Sequence, residues 1–471
     1  MKHAMFFLVI LFFSNLSNYS KAEGDFDVRQ HLSTVTRYGV VKDIVDNSFI
    51  PSVIPEGCVA IHLNLVARHG TRSPTKKRIS ELDGLGARLK LLISDAEKQS
   101  SVLDRIPSWL HGWESPWKGQ VKGGELIRKG EEELFDLGIS TREGFPYLFD
   151  EEYHPEIYTI NATQVPRTKA SALAFATGLF NGNRSDEPGK QEAFAISSGS
   201  NGSEIILRFF DYCNNYKNLK KKQEPVVNKL KEPYLDNITS ALVRRYGLNF
   251  TRQDISSLWF LCQEEASLLD ITNQACGLFM PSEITLLEWT DDLELYILKG
   301  YGNSLNYRMA TPLLEDVVKS MEQAIQAKEE KRTPGSYEKA RLRFAHAETL
   351  VPLSCLLGLF LEGSESEQIQ EQPWKLPVDP QIRKWRGSIM APFAGNNMLA
   401  LYSCPATHKS TSTYFVRLLH NEHPIPMPAC NGSDFCPFEV FKEKVYGPYK
   451  KLTFDAICNG KEGDNTPKDE L

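Results

Sequence analysis

A three-part unit, used three times, limits how this chain can fold. Each copy is a short apolar run that reads as a strand, a polar loop with a cationic or imidazole side chain, and an apolar run that reads as a helix. In the first, Val59 to Ala67 alternates in part, with Val59, Ile61, Leu63 and Leu65 on one face and Ala60, His62 and Asn64 on the other. It runs into Arg68-His69-Gly70-Thr71-Arg72-Ser73-Pro74-Thr75. In the second, the strand Ile157 to Ile160 leads through Arg167 to a helix on which Ala172, Phe175, Ala176 and Leu179 recur at helical spacing, with Thr168 as its cap. In the third, Arg341 to His346, with Leu342 and Phe344 inward, precedes the apolar helix Leu350 to Leu361. Pro352 is tolerable only in a first turn, so Glu348 and Thr349 stand at that helix start. Ligands of open α/β sheets bind beyond the carboxyl ends of strands, so the three loops are expected to meet in one cleft.

The residues in those loops suit phosphate chemistry. An imidazole attacks phosphorus and carries a phosphoryl group when one ring nitrogen is unprotonated and the other is held by a hydrogen bond, which makes His69 the candidate nucleophile. Guanidinium forks match the oxygens of a transferring phosphoryl group and keep their protons, which fits Arg68, Arg72 and Arg167. Gly70 is expected to let backbone approach the ligand closely. A carboxylic acid at Glu348 would protonate a departing alcohol; an ordinary acid at a helix start is the competing reading on position alone.

The octapeptide Arg68 to Thr75 resembles the signature of the histidine acid phosphatases, the branch that includes phytases. His346-Ala347-Glu348-Thr349 stands where most of that family has a His-Asp pair, and its His-Ala-Glu looks like the multiple inositol polyphosphate phosphatases. Gly124-Glu125-Leu126, Arg167-Thr168 with Ser171-Ala172, Leu207 to Tyr212, Gly300-Tyr301-Gly302 and Pro392 to Asn397 resemble that subfamily too. The resemblance implies that His69 is the nucleophile, Glu348 the proton donor, and Arg68, Arg72, Arg167 and His346 the phosphate clamp. His346 would contribute most when protonated. It implies hydrolysis of inositol polyphosphates such as phytate through a phosphohistidine, with 2,3-bisphosphoglycerate as a side substrate and no cofactor. A broad-specificity acid phosphatase is the alternative within the enzymes, and an inactive luminal binding protein the alternative outside them.

Thr75-Lys76-Lys77-Arg78 follows the nucleophile loop and is either a solvated face or a holder of further phosphates on a polyphosphorylated small molecule. Asn218-Leu219-Lys220-Lys221-Lys222 reads as a surface turn. The formal net charge of −6 makes any attraction for a polyanion a local field and argues against nucleic acid as a partner. His420-Asn421-Glu422-His423 looks superficially like a ligand cluster, but the chain has no Cys-x-x-Cys pair or His-Glu-x-x-His, and no metal is expected.

Lys2 and His3 precede apolar Ala4 to Phe13, and Ser20-Lys21-Ala22 offers small residues, so residues 1–22 read as a signal peptide rather than a membrane anchor. Lys468-Asp469-Glu470-Leu471 is an endoplasmic-reticulum retrieval signal, which makes the KDEL receptor a partner and the reticulum lumen the expected location, with escape to a vacuole or the exterior left open. Asn161, Asn183, Asn201, Asn237, Asn249 and Asn431 begin glycosylation sequons, Asn161 being hindered by its closeness to Arg167. Nine cysteines in an oxidising lumen suggest disulfides with one left over, and Cys262 with Cys276 and Cys430 with Cys436 would close short loops. The resemblance supports both pairs, adds Cys58 with Cys404 and Cys213 with Cys458, and leaves Cys355 outside them.

The expected fold class is α/β, a large domain with a central mixed sheet flanked by helices and a smaller, mainly helical one. Residues 23–75, 123–180 and 336–460 would form the α/β part, 76–122 and 181–335 a helical roof, and 461–471 a flexible tail. Helices are predicted over Ile284 to Lys299 and Pro312 to Lys331.

Overall fold

The computed structural model describes residues 26–44, 49–98, 103–182, 193–199, 201–333, 335–361, 383–406 and 413–460. The signal peptide, Asn183, most of the polar stretch after Leu361 and the retrieval tail lie outside them, as does the side chain of Asn201. At the centre is an eight-stranded mixed sheet in the order β3-β2-β4-β1-β5-β6-β7, with β8 paired to β6. The strands are β1 (Val59–Arg68), β2 (Tyr158–Ala162), β3 (Ile196–Ser197), β4 (Ala340–Ala345), β5 (Asn396–Ser403), β6 (Tyr414–His420), β7 (His423–Pro424) and β8 (Phe435–Pro437). Strands β3, β2, β4 and β1 run parallel, and β5 turns antiparallel against β1. Register aligns Arg68 with Ala345, and Ala67 and Ala162 each with Phe344, so β1, β2 and β4 end level. The loops that begin at His69, Thr163 and His346 therefore open side by side.

The face assignment along β1 needs one correction. A register shift between Ala60 and His62 turns the strand over, so Ile61 packs with Val66 on one face while Leu63, Leu65 and Ala67 pack on the other. An extra residue in one strand of an antiparallel pair reverses the side-chain alternation beyond it.

Helices α1 (Lys76–Glu97), α2 (Arg128–Gly144), α3 (Pro166–Asn181), α4 (Asn201–Tyr212), α5 (Asn214–Tyr246), α6 (Arg252–Glu264), α7 (Pro281–Lys299), α8 (Thr311–Glu329) and α9 (Ala347–Leu356) build the layers. Leu134, Leu137, Phe175 and Leu179 of α2 and α3 cover one sheet face; Leu313, Val317 and Met321 of α8 and Leu350 and Val351 of α9 cover the other. A further core joins Leu82 and Leu89 of α1 to Ile238 and Leu242 of α5, Leu258 and Leu261 of α6 and Leu287 of α7.

The turn predicted at Asn218 to Lys222 is instead the second turn of the 33-residue α5, which continues through Pro225 and Pro233 and stops at Gly247, φ +70°. Lysine is a good helix former, and buried Tyr216, Val227, Ile238, Leu242 and Tyr246 hold this helix by tertiary packing, which outweighs the local punctuation. Thr168 does not cap α3: Val165 is the N-cap, and the Thr168 hydroxyl lies in the first turn, 2.7 Å from the Val165 carbonyl. Helix α9 begins at Ala347, so Glu348 and Thr349 are in its first turn as expected while Pro352 falls in the second, and it ends at Leu356 rather than Leu361. Disulfides join Cys58 to Cys404, Cys213 to Cys458, Cys262 to Cys276 and Cys430 to Cys436, and Cys355 is buried in α9 outside them. Among the described residues no helix is long and apolar enough to cross a membrane.

Candidate active site

His69 leaves β1 with only 3 % of its surface exposed. Its Nδ1 donates to the Gly70 carbonyl at 2.9 Å, which leaves Nε2 as the ring nitrogen with a free lone pair. Burial, then the charges of Arg68 and Arg167, holds its pKa well below the ordinary histidine value, which favours the neutral, nucleophilic ring. Gly70 serves a different purpose from the one expected: a Cβ there would stand 2.2 Å from the Gly130 carbonyl oxygen, so its smallness lets the loop press on α2 rather than on a ligand.

Arg68 is 5 % exposed and lies across the Phe393 ring, its Cζ 4.3 Å from the centroid. Its Nη1 donates to the carbonyls of Thr34 and Ala391, the latter at 2.7 Å, while its buried Nε has no partner. Arg167, in the first turn of α3, reaches Gly124 O and His346 Nδ1, each at 3.4 Å, and its Nε is likewise buried and unpartnered. Arg72 is half-buried, with Nη1 on the Ser73 carbonyl at 2.8 Å. Burial and the charge of Arg72 lower Arg68 to about 9 and Arg167 to about 10. Crowded guanidiniums with open N–H groups form a site that an anion would complete.

His346 caps α9, and its ring meets that of His69 edge-on with centroids 5.6 Å apart. Nδ1 accepts from Arg167, and Nε2 therefore carries the proton toward Thr163 Oγ1, 3.1 Å away. Burial pushes its pKa down to about 3 against the opposing pull of Glu348, which favours the neutral ring until an anion binds beside it. Glu348 lies two residues on, with Oε1 2.9 Å from Lys299 Nζ. Burial alone would raise its pKa, but the Lys299 ammonium holds it well below the usual carboxylate range.

The model for the histidine phosphatase superfamily, branch 2, matches residues 61–421, which spans every one of these groups. The chain belongs to branch 2 of the histidine phosphatase superfamily. Multiple inositol polyphosphate phosphatase 1 of Homo sapiens is 26% identical over 385 residues, covering 80% of this chain and 77% of the relative. Among solved structures, the phytase from D. castellii superposes with a TM-score of 0.67 at 17% identity over 93% of this chain and 88% of its own. The multiple inositol polyphosphate phosphatase of Bifidobacterium longum, in complex with inositol hexasulfate, superposes with a TM-score of 0.64 at 17% identity over 91% of this chain and 99% of its own.

Further residues of this histidine phosphatase surround the site: Glu133, which the sequence reading missed, and residues in the stretches 124–126 and 207–212 that the resemblance had singled out without a role. Glu133 of α2, buried, accepts from Thr71 N and Thr71 Oγ1 at 2.8 Å each and fixes the loop after His69. Segment 124–127 runs beside that loop through Ser73 N to Glu125 O, 2.9 Å, and Ile127 N to Thr71 O, 3.1 Å. Arg208 stands at a break in α4 (φ −128°, ψ 35°), bonded to Asp211, and its charge reaches Arg167 and His346. Of the basic run, Thr75 is the N-cap of α1, and Lys76 and Lys77 are exposed in its first turn. Arg78 lies on the Phe260 ring at 4.4 Å and pairs with Glu81.

Of residues 420–423, His420 and Asn421 share the Ile389 carbonyl, while Glu422 and His423 turn to other partners. Asn421 and Glu422 have positive φ, forming the two-residue hairpin between β6 and β7. His420 contacts Asn397 and the Ile389 carbonyl, His423 the Lys42 carbonyl, and Glu422 the hydroxyls of Tyr38 and Ser140. Asn237, Asn249 and Asn431 are exposed, whereas Asn161 lies within β2 between β3 and β4.

Proposed function

We propose that this chain is a phosphomonoesterase that hydrolyses inositol polyphosphates, inositol hexakisphosphate among them, through a phosphohistidine on His69. The observation that carries the reading is a neutral histidine with Nδ1 hydrogen-bonded, beside two arginines whose buried Nε groups have no partner. In the first step Nε2 forms a bond to phosphorus while the phosphorus–oxygen bond breaks, its electron pair going to the inositol oxygen. Arg68, Arg72 and Arg167 neutralise the equatorial oxygens, and His346, whose Nε2 faces Thr163, adds an Nδ1–H donor once a bound anion raises its pKa. Glu348 delivers a proton to the departing oxygen, then takes one from the water that cleaves the phosphohistidine. Lys76 and Lys77, exposed beside the nucleophile loop, would hold other phosphates of the ring, and the helices of 76–122 and 181–335, apart from the sheet-covering α8, would roof the cleft.

The six sequons, the four disulfides and the terminal Lys-Asp-Glu-Leu support a luminal enzyme retrieved by the KDEL receptor. Phosphate release from inositol hexakisphosphate, 2,3-bisphosphoglycerate and an aryl phosphate, compared at pH 4 to 8, tests the substrate class. The reading predicts the highest kcat/KM for inositol hexakisphosphate and a lower one for bisphosphoglycerate. Equal rates on all three would make the chain a broad acid phosphatase, and none on any would make it a binding protein.

A further inference from the structure

The group proposed to donate a proton is held as an anion. Glu348 sits in the first turn of α9, where the helix N-terminus favours a carboxylate, and Lys299 Nζ lies 2.9 Å from its Oε1. Lys299 on α7, Arg68 at the end of β1 and Arg167 on α3 act on Glu348 by charge, and Tyr216 of α5 feels the carboxylate in turn. Of these, only Lys299 forms an ion pair with it. The two side chains are 23% and 36% exposed, so the pair borders the open cleft rather than the core.

The backbone that carries Lys299 is fixed from several sides. Tyr216 Oη donates to Leu298 O at 3.0 Å, and Asn306 Nδ2 donates to Ile297 O and Gly300 O at 2.9 Å each. A Cβ on Gly300 would fall 2.1 Å from Trp385 Cη2, so the chain presses onto that indole directly after Lys299. The ammonium is on a flexible stem above a fixed anchor, beside the Glu348 carboxyl.

We propose that Lys299 is the positioning residue that sets the protonation state of Glu348: it pairs with the carboxylate and turns to a substrate phosphate oxygen when one binds, releasing the carboxyl to hold a proton. This rests on the reading of Glu348 as proton donor. The bound phosphate supplies the counter-charge twice, by attracting the ammonium and by placing negative charge next to the carboxyl, and both effects favour the acid form. In the first half-reaction the carboxyl, having taken its proton from the phosphomonoester monoanion as that binds, passes it to the leaving oxygen as the phosphorus–oxygen bond breaks, giving a neutral alcohol and the Glu348 carboxylate. In the second, water gives its proton to that carboxylate while its oxygen bonds phosphorus and the phosphorus–nitrogen pair returns to His69 Nε2. When phosphate departs it takes up that proton, and Lys299 closes again on the carboxylate.

The test is the pH dependence of kcat/KM for the glycosylated full chain with Lys299→Met and Lys299→Arg, on inositol hexakisphosphate and on p-nitrophenyl phosphate, whose leaving group departs without a proton. Removal of the paired charge should move the alkaline limb on inositol hexakisphosphate upward by about 1–3 pH units, the span an adjacent opposite charge commands. Lys299→Arg should keep the limb at the wild-type pH, and the aryl phosphate limb should not move in either variant. A uniform rise of KM in Lys299→Met with unmoved limbs on both substrates would make Lys299 a plain phosphate contact and overturn the proposal. A wild type that releases phosphate from neither substrate would instead overturn the reading of the enzyme itself, so the two failures are distinct.

Discussion

His69 and Glu348 are both held without their titrating proton, one neutral and the other charged, and each state follows from what surrounds it. The imidazole is buried among guanidiniums and stays neutral, whereas the carboxyl is paired with Lys299 and stays ionised. Replacement of Glu348 by Gln removes the proton but keeps the shape. On the mechanism proposed, kcat for inositol hexakisphosphate should fall about 10²–10⁴-fold while p-nitrophenyl phosphate loses far less in its first half-reaction, measured by rapid-quench release of nitrophenol. A buried histidine elsewhere makes a separate prediction. His62, wholly buried between Ser320 and the Glu338 carbonyl, has its pKa lowered to about 4, chiefly by burial. The folded state resists the proton that the unfolded chain accepts, so the contribution of His62 is complete above the unfolded value and is lost as pH falls from about 6.5 toward 4. The stability gap between wild type and His62→Gln should therefore narrow by about 2 kcal/mol between pH 7 and pH 5, read from urea midpoints; a gap independent of pH would contradict it. At this scale His69, Arg68, Arg72, Arg167, His346 and Glu348 were legible because each sits at a strand end or helix start that its own neighbours specify. Lys299 and Glu133 were not, since the groups they serve lie 49 and 62 residues away and only the packing of α7 and α2 brings them there.

Among the elements, the crossing of α2 over α3 matters most to the site, because α2 carries Glu133 and Gly130 while α3 carries Arg167. A Cβ on Gly178 would lie 2.0 Å from the Phe135 carbonyl oxygen, and one on Gly138 would lie 2.2 Å from that of Phe175. Backbone cannot yield as a flexible side chain does, so Gly178→Ala should destabilise the fold by about 1–3 kcal/mol, as overpacking does, although alanine is the better helix former. Thermal unfolding checks this, and a stabilised variant would mean that the helices separate freely. The strand–loop–helix rhythm made β1, β2, β4, α3 and α9 legible. The bulge at Ala60 to His62 was not, since it is set by the pairing of β1 with β5, more than 300 residues away. The length of α5 was hidden for a related reason: Pro225 and Pro233 and the lysine run speak against it locally, and the buried face that sustains it is visible only once its partners are in place.

Across the whole molecule, distant segments are tied back to the sheet that builds the cleft. Cys58–Cys404 joins the approach to β1 to the loop leaving β5, and Cys213–Cys458 ties the start of α5 to the C-terminal helix Phe454–Asn459 across 245 residues. Loss of the latter through Cys213→Ser with Cys458→Ser should cost about 2–5 kcal/mol, and urea denaturation under oxidising conditions would show it. If stability instead matched wild type, the bridge would be dispensable to the fold. A buried network acts in the same sense around Arg68: Arg383 pairs with Asp292 at 2.8 Å, Arg386 with Glu288 at 2.8 Å, and Ser33 Oγ and Gly387 N both donate to Asp292. It holds together the segments whose Thr34 and Ala391 carbonyls seat the Arg68 guanidinium.

Trapping the intermediate tests the central claim most directly. Wild type and His69→Ala are mixed with inositol hexakisphosphate, quenched within milliseconds, digested at alkaline pH, where phosphohistidine survives, and mapped by mass spectrometry. A phosphoryl group on the His69 peptide of the wild type, absent from the variant together with turnover, is the predicted result. Turnover that persists in His69→Ala, or a phosphoryl group found on another residue, would contradict it.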